Sequence, residues 1–137
     1  MNRRIAALET LRRIEERGLT ALAQELTGAQ SAQAEALRRV DDLATRAVTE
    51  AQAQSLEALP YVGRFLATLR REQGRERHAA QALEGRIEGL RDQVIERFTA
   101  ERRYGKLSDD LAAKITAERA KAVEAALEDL TQARFNR

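Results

Sequence analysis

Two apolar stripes at helical spacing, lying on either side of the chain's single proline, limit this sequence to very few folds. Before the proline, Leu19, Leu22, Leu26, Ala29, Gln33, Ala36, Val40, Leu43 and Ala47 follow at alternating steps of three and four residues. Past Pro60, Val62, Leu66, Leu69, Gln73, Glu76, Ala80, Leu83, Ile87, Leu90 and Val94 keep the same rhythm. Two charged interruptions follow, Arg97 and Glu101, after which Tyr104, Ser108, Leu111 and Ile115 continue it. A stripe repeating every 3.5 residues or so belongs to a helix that buries a narrow seam against another helix. The expected fold is all-α: an antiparallel two-helix coiled-coil hairpin with unequal arms, the second arm longer.

The 137 residues form a single helical hairpin in this reading, with helix 1 over about 3–57, a turn at about 58–60 and helix 2 over about 60–134. Proline disfavours helix at the residue before it and fits the first position of the next helix, so Pro60 marks the reversal. Ile5, Leu8, Leu11 and Ile14 carry the first turns, and their phase slips against the later stripe near Gly18, as a stutter would. Folding the chain about Pro60 pairs Leu8 with Leu111, Leu22 with Phe98, Leu26 with Val94, Ala29 with Leu90, Ala36 with Leu83 and Val40 with Ala80. Alanine then faces leucine at several layers, which permits close packing. Gly105 followed by Ser108, Asp109 and Asp110 offers a helix stop and a new N-cap, and with it a third helix. The apolar phase from Tyr104 through Leu111 to Ile115 runs across that point and favours one continuous arm.

At 1.5 Å per residue the arms are about 80 Å and 110 Å long, so about 30 Å of the second projects past the first. Ile115, Val123, Ala126, Leu127 and Leu130 lie in that overhang. An amphipathic helix with no partner in its own chain finds one elsewhere or frays. The overhang is therefore the expected binding surface, for another protein or for the same stripe of a second copy.

Composition excludes most other functions. The 43% apolar share rests mainly on alanine, with only three Phe and two Tyr, which suits long solvated helices and not a catalytic pocket. There is no cysteine for a disulfide or thiolate site, a pattern compatible with a reducing cytoplasm. No apolar run approaches the roughly 20 residues that span a bilayer, and Met1-Asn2-Arg3-Arg4-Ile5 leads into no signal region, so a soluble, unexported chain is expected. The net charge of +2 comes from arginine interleaved with glutamate and aspartate. Even the densest basic stretch, Arg64 to Arg77, contains Glu72 and Glu76, so no one-signed face exists for nucleic acid. His78 stands alone among Arg75, Glu76 and Arg77 as a solvated helix position. Asp41-Asp42 and Asp109-Asp110 are adjacent pairs that diverge by about 100° on a helix, unsuited to a metal site or to paired acid and base. Neither an enzyme nor a cofactor is expected.

The chain resembles the flagellar export protein FliJ family. The resemblance rests on Ala7-Leu8-Glu9-Thr10-Leu11-Arg12-Arg13, on Phe65-Leu66-Ala67-Thr68-Leu69 soon after the reversal, and on the charged arm from Phe98 through Glu101-Arg102-Arg103 to Ala133-Arg134. It covers most of the chain, and the sequence departs from the family in a short connection between the arms. The resemblance implies a cytoplasmic, non-enzymatic component of the flagellar or type III protein export apparatus, peripheral to the membrane through its partners and a monomer on its own. Three partners follow from it: a hexameric export ATPase whose ring takes the joined chain ends as a central stalk, the cytoplasmic domain of the export gate, and export chaperones. By the same resemblance Leu43, Phe65 and Leu69 face the gate, beside Arg39, Arg46 and Glu50. The end expected to enter the ATPase carries Ile5, Leu8, Leu11, Arg119, Val123, Leu127 and Leu130. The alternative is a generic structural or scaffold coiled coil, dimeric, with no ATPase partner.

Overall fold

The computed structural model describes residues 2–52, 57 and 59–136. Among these the chain forms two helices, α1 over Arg3–Ala51 and α2 over Leu59–Phe135, of 49 and 77 residues. The fold is the antiparallel helical hairpin with a longer second arm.

Asn2 starts α1. Its side-chain oxygen accepts the backbone N–H of Arg4 at 2.8 Å and that of Ile5 at 3.4 Å, satisfying donors that have no partner within the helix. At the other end the Gln52 amide donates to the Thr49 carbonyl at 3.3 Å, closing a tighter turn than the helix above it. The first helix thus stops at Ala51, short of the expected 57. Most of the expected last turn, and Ala58 of the expected reversal, lie outside the described residues. Pro60 belongs to the first turn of α2, where a missing N–H costs no hydrogen bond.

Helix α2 runs unbroken through Gly105 and Ser108. Ser108 is 4% exposed and sits on the seam instead of capping a new helix. Packing along the apolar phase overrides the local stop signal here.

The chain divides into two compact units, one of residues 20–95 and one of residues 1–19 with 96–137. In the first, Leu22, Ala29, Ile87 and Leu90 form a buried cluster, with Leu26, Leu83 and Val94 packed against it. Ala36, Val40, Leu69 and Ala80 continue the buried seam. Each fully buried leucine or isoleucine contributes about 1.5–3 kcal/mol, while the alanines let the backbones approach. Two glutamines cross this seam to backbone carbonyls: Gln33 Nε2 donates to Ala80 O at 3.4 Å and Gln73 Nε2 to Val40 O at 3.2 Å. Arg86 with Glu25 at 3.6 Å and Arg39 with Glu76 at 3.8 Å flank it.

Those contacts correct the expected register. Val40 meets Gln73, seven residues before Ala80, and Ala80 meets Gln33, seven residues before Val40. The offset is one heptad, the smallest slip that keeps every seam position on the seam. Phe98, expected opposite Leu22, lies off the seam and 48% exposed.

In the second unit the expected stutter is absent. Leu11 and Ile14 are 40% and 52% exposed, whereas Ile5, Leu8, Arg12, Glu15 and Leu19 are half-buried and follow an unbroken rhythm of three and four, with Asn2, Glu9 and Gly18 half-buried beside them. Arg12 and Glu15 occupy seam positions that the sequence reading gave to leucine and isoleucine. Their partners are the two charged residues that interrupt the second stripe. Arg12 Nε donates to Glu101 Oε1 at 2.8 Å, and Arg97 Nη1 lies 3.5 Å from Glu15 Oε2.

Candidate functional site

The last layer of the seam forms where Asn2, Arg3 and Arg4 come beside Leu111, Lys114, Ile115 and Glu118. From Thr116 to Asn136 every side chain of α2 is exposed. This segment contains Val123, Leu127 and Leu130, at 59%, 58% and 66% exposure. A helix turns by about 100° per residue, so Arg119, Val123, Leu127 and Leu130 share one face of it.

That face does not continue the seam. Carried forward from Ile115, the seam rhythm would fall on Glu118, Ala122, Ala125 and Asp129, which hold no large apolar side chain. The exposed stripe is turned away from those positions by roughly 100°. A longer α1 would therefore not cover it. The side chains form a separate surface, apolar along its centre, with Arg119 at one end.

The α1 residues expected at the same site divide. Ile5 and Leu8 are half-buried in the seam, and only Leu11 faces outward. The α1 residues beside the last covered turn of α2 are instead Asn2, Arg3 and Arg4.

The second expected surface, in the unit of residues 20–95, also divides. Leu69 is 3% exposed and packs in the seam, so it offers a partner no surface. Leu43 and Phe65 are half-buried. The Arg46 guanidinium carbon lies 5.4 Å from the Phe65 ring centre, a cation–π distance that covers one face of the ring. Arg39, Asp42, Leu43, Arg46, Glu72, Arg75 and Glu76 line a shallow groove there, and charge dominates it.

Sequence reasoning missed the Arg12–Glu101 and Glu15–Arg97 layers. Glu101 raises the affinity of the Arg12 guanidinium for its proton, first by accepting its hydrogen bond and then by its charge; burial opposes this and Glu9 and Glu16 reinforce it. A raised folded-state value means that this stabilisation is complete below the ordinary guanidinium range and is lost only above it. The available signal was the rhythm itself, since Arg12 falls four residues after Leu8, Glu15 three after Arg12, and Leu19 four after Glu15.

No group of three or more His, Cys, Asp or Glu among the described residues is placed to hold a metal, and His78 is exposed. No helix among them is long and apolar enough to cross a membrane. Comparison of the chain with family models, with curated proteins and with solved structures returns no match.

Proposed function

We propose that this protein is a non-enzymatic stalk of the FliJ kind, working in a flagellar or related type III protein export apparatus. The end of α2 enters the central opening of a hexameric export ATPase and promotes ring assembly and ATP turnover. The observation that carries this reading is the exposed face of Arg119, Val123, Leu127 and Leu130, on a stretch of helix beyond the start of α1. An apolar helical face bounded by charge suits insertion into a protein cavity. The mixed charge elsewhere suits a part that turns or shifts against a ring without adhering to it. Contact with the export gate falls to the exposed edges of Leu43 and Phe65, with Leu69 as their support, and export chaperones complete the partners.

The test is to add the purified protein to its cognate ATPase and follow hydrolysis and hexamer formation. Native protein is expected to raise both. L127E/L130E, which alters only exposed positions, is expected to abolish the effect with helicity and melting unchanged, as is removal of residues from about 116 onward. Unchanged hydrolysis with native protein would overturn the proposal. The same face also allows a second reading, a scaffold dimer closed by two copies of the stripe; sedimentation at the mass of two chains, lost in L127E/L130E, would establish that reading instead.

A further inference from the structure

We propose that the two charged layers, Arg12 with Glu101 and Glu15 with Arg97, select the register of the hairpin against its neighbour one heptad away, and thereby set how much of α2 stays free. A seam repeating every seven residues looks the same after a slip of seven, so apolar packing alone separates the two registers poorly. In the slipped register Leu8 would face Leu111 and Ile5 would face Ile115, adding apolar pairs at the end of the seam. On apolar contacts alone the slip is an attractive alternative, yet the structure adopts the other register.

The charged layers differ between the two. In the observed register each arginine meets a glutamate across the seam, at 2.8 Å for Arg12 and 3.5 Å for Arg97. After a slip Arg97 and Glu101 would face Leu22 and Leu19, while Arg12 and Glu15 would face Ser108 and Tyr104. All four charges would lose their partner across the seam at once, two of them against leucine, and only Arg12 would keep ion pairs on its own helix, with Glu9 at 3.8 Å and Glu16 at 3.7 Å. The cost falls on the covered members, Glu101 and Glu15, whose side chains are 14% and 21% exposed, because a buried charge without its partner is unfavourable whereas a matched pair against an apolar replacement is close to neutral. The layers thus add little to the stability of the correct register and penalise the wrong one.

Gly18 makes room for one of these layers, and Gly105 lies in ordinary contact with the other. A β-carbon at Gly18 would fall within the Arg97 guanidinium, and one at Gly105 would come 3.5 Å from Arg12 Nε. Each arginine lies over the helix that carries its partner glutamate, at the point where that helix has no side chain. No such neighbour lies within 4 Å of a β-carbon built at Gly28, Gly63, Gly74, Gly85 or Gly89. The consequence reaches the free end. In this register Asn2 comes beside Leu111 and leaves α2 uncovered past Ile115; a slip would carry Asn2 to Glu118 and shorten the free segment by one heptad, about 10 Å.

The chain has no cysteine, so spin labels at A23C and A67C, both exposed positions, report the register as a distance. A slip lengthens the axial separation of that pair by about 10 Å. The otherwise native chain is expected to give one distance, and R12L/E15L/R97L/E101L to give a second population about 10 Å longer. The fourfold exchange R12E/E15R/R97E/E101R is expected to return the single short distance. Should the leucine variant aggregate, R12E/E15R alone decides. It places like charges across both layers and is expected to populate the long distance until R97E/E101R is added. A single short distance in the leucine variant, or in R12E/E15R, would overturn the proposal, as would two distances in the native background.

Discussion

Ile87 and Leu127 are residues of similar size on the same helix with opposite roles. Ile87 is 2% exposed within the cluster of Leu22, Ala29 and Leu90, and Leu127 is 58% exposed beyond the seam. Truncating a buried isoleucine removes its transfer free energy and leaves a cavity, whereas truncating an exposed leucine removes little that the fold uses. I87A should therefore cost about 2–4 kcal/mol in urea unfolding, towards the low end because two helices can close on a gap more easily than a thick core. L127A should fall within about 0.5 kcal/mol of the native chain while weakening the partner interaction. Equal costs would mean that Leu127 is covered within its own chain.

The glycines separate the two units at the scale of the helices. Gly28 sits in α1 with open space where a β-carbon would go, so G28A should add about 1 kcal/mol through helix propensity. G18A offers the same propensity but pushes Arg97 out of the position from which it meets Glu15, so its gain should be smaller or reversed. Thermal melts of both variants, and of G18A combined with R97A, check the cause: removing Arg97 first should restore the full benefit of alanine. The seam positions themselves were legible in the sequence, from Leu19 to Ala47 and from Val62 to Ile115, because burial follows the rhythm residue by residue. The register was not, since a heptad pattern is unchanged by a slip of seven and centring the turn on Pro60 places the pairs one heptad away from those observed. Leu11 and Ile14 misled for a related reason: they are apolar but out of phase, and the charged residues beside them hold the seam. Asn2 was a readable cap that hydrophobic periodicity alone passes over.

Taken together, the two helices are unequal. α2 outnumbers α1 by 77 residues to 49, and the surplus carries an apolar face turned away from the seam. Nothing in helix propensity requires such a face; alanine, lysine and glutamate alone would have kept the segment helical. Its presence on a segment exposed along its whole length is what supports the proposed docking to a partner. Protection of each backbone amide against hydrogen exchange measures local stability directly, segment by segment. For the isolated protein at low concentration, amides from Glu118 to Phe135 should exchange at least about tenfold faster than those from Ala80 to Val94, and should slow when the export ATPase is added. Equal protection of the two segments in the isolated protein would contradict the account, because it would mean that the end of α2 already has its partner within the chain.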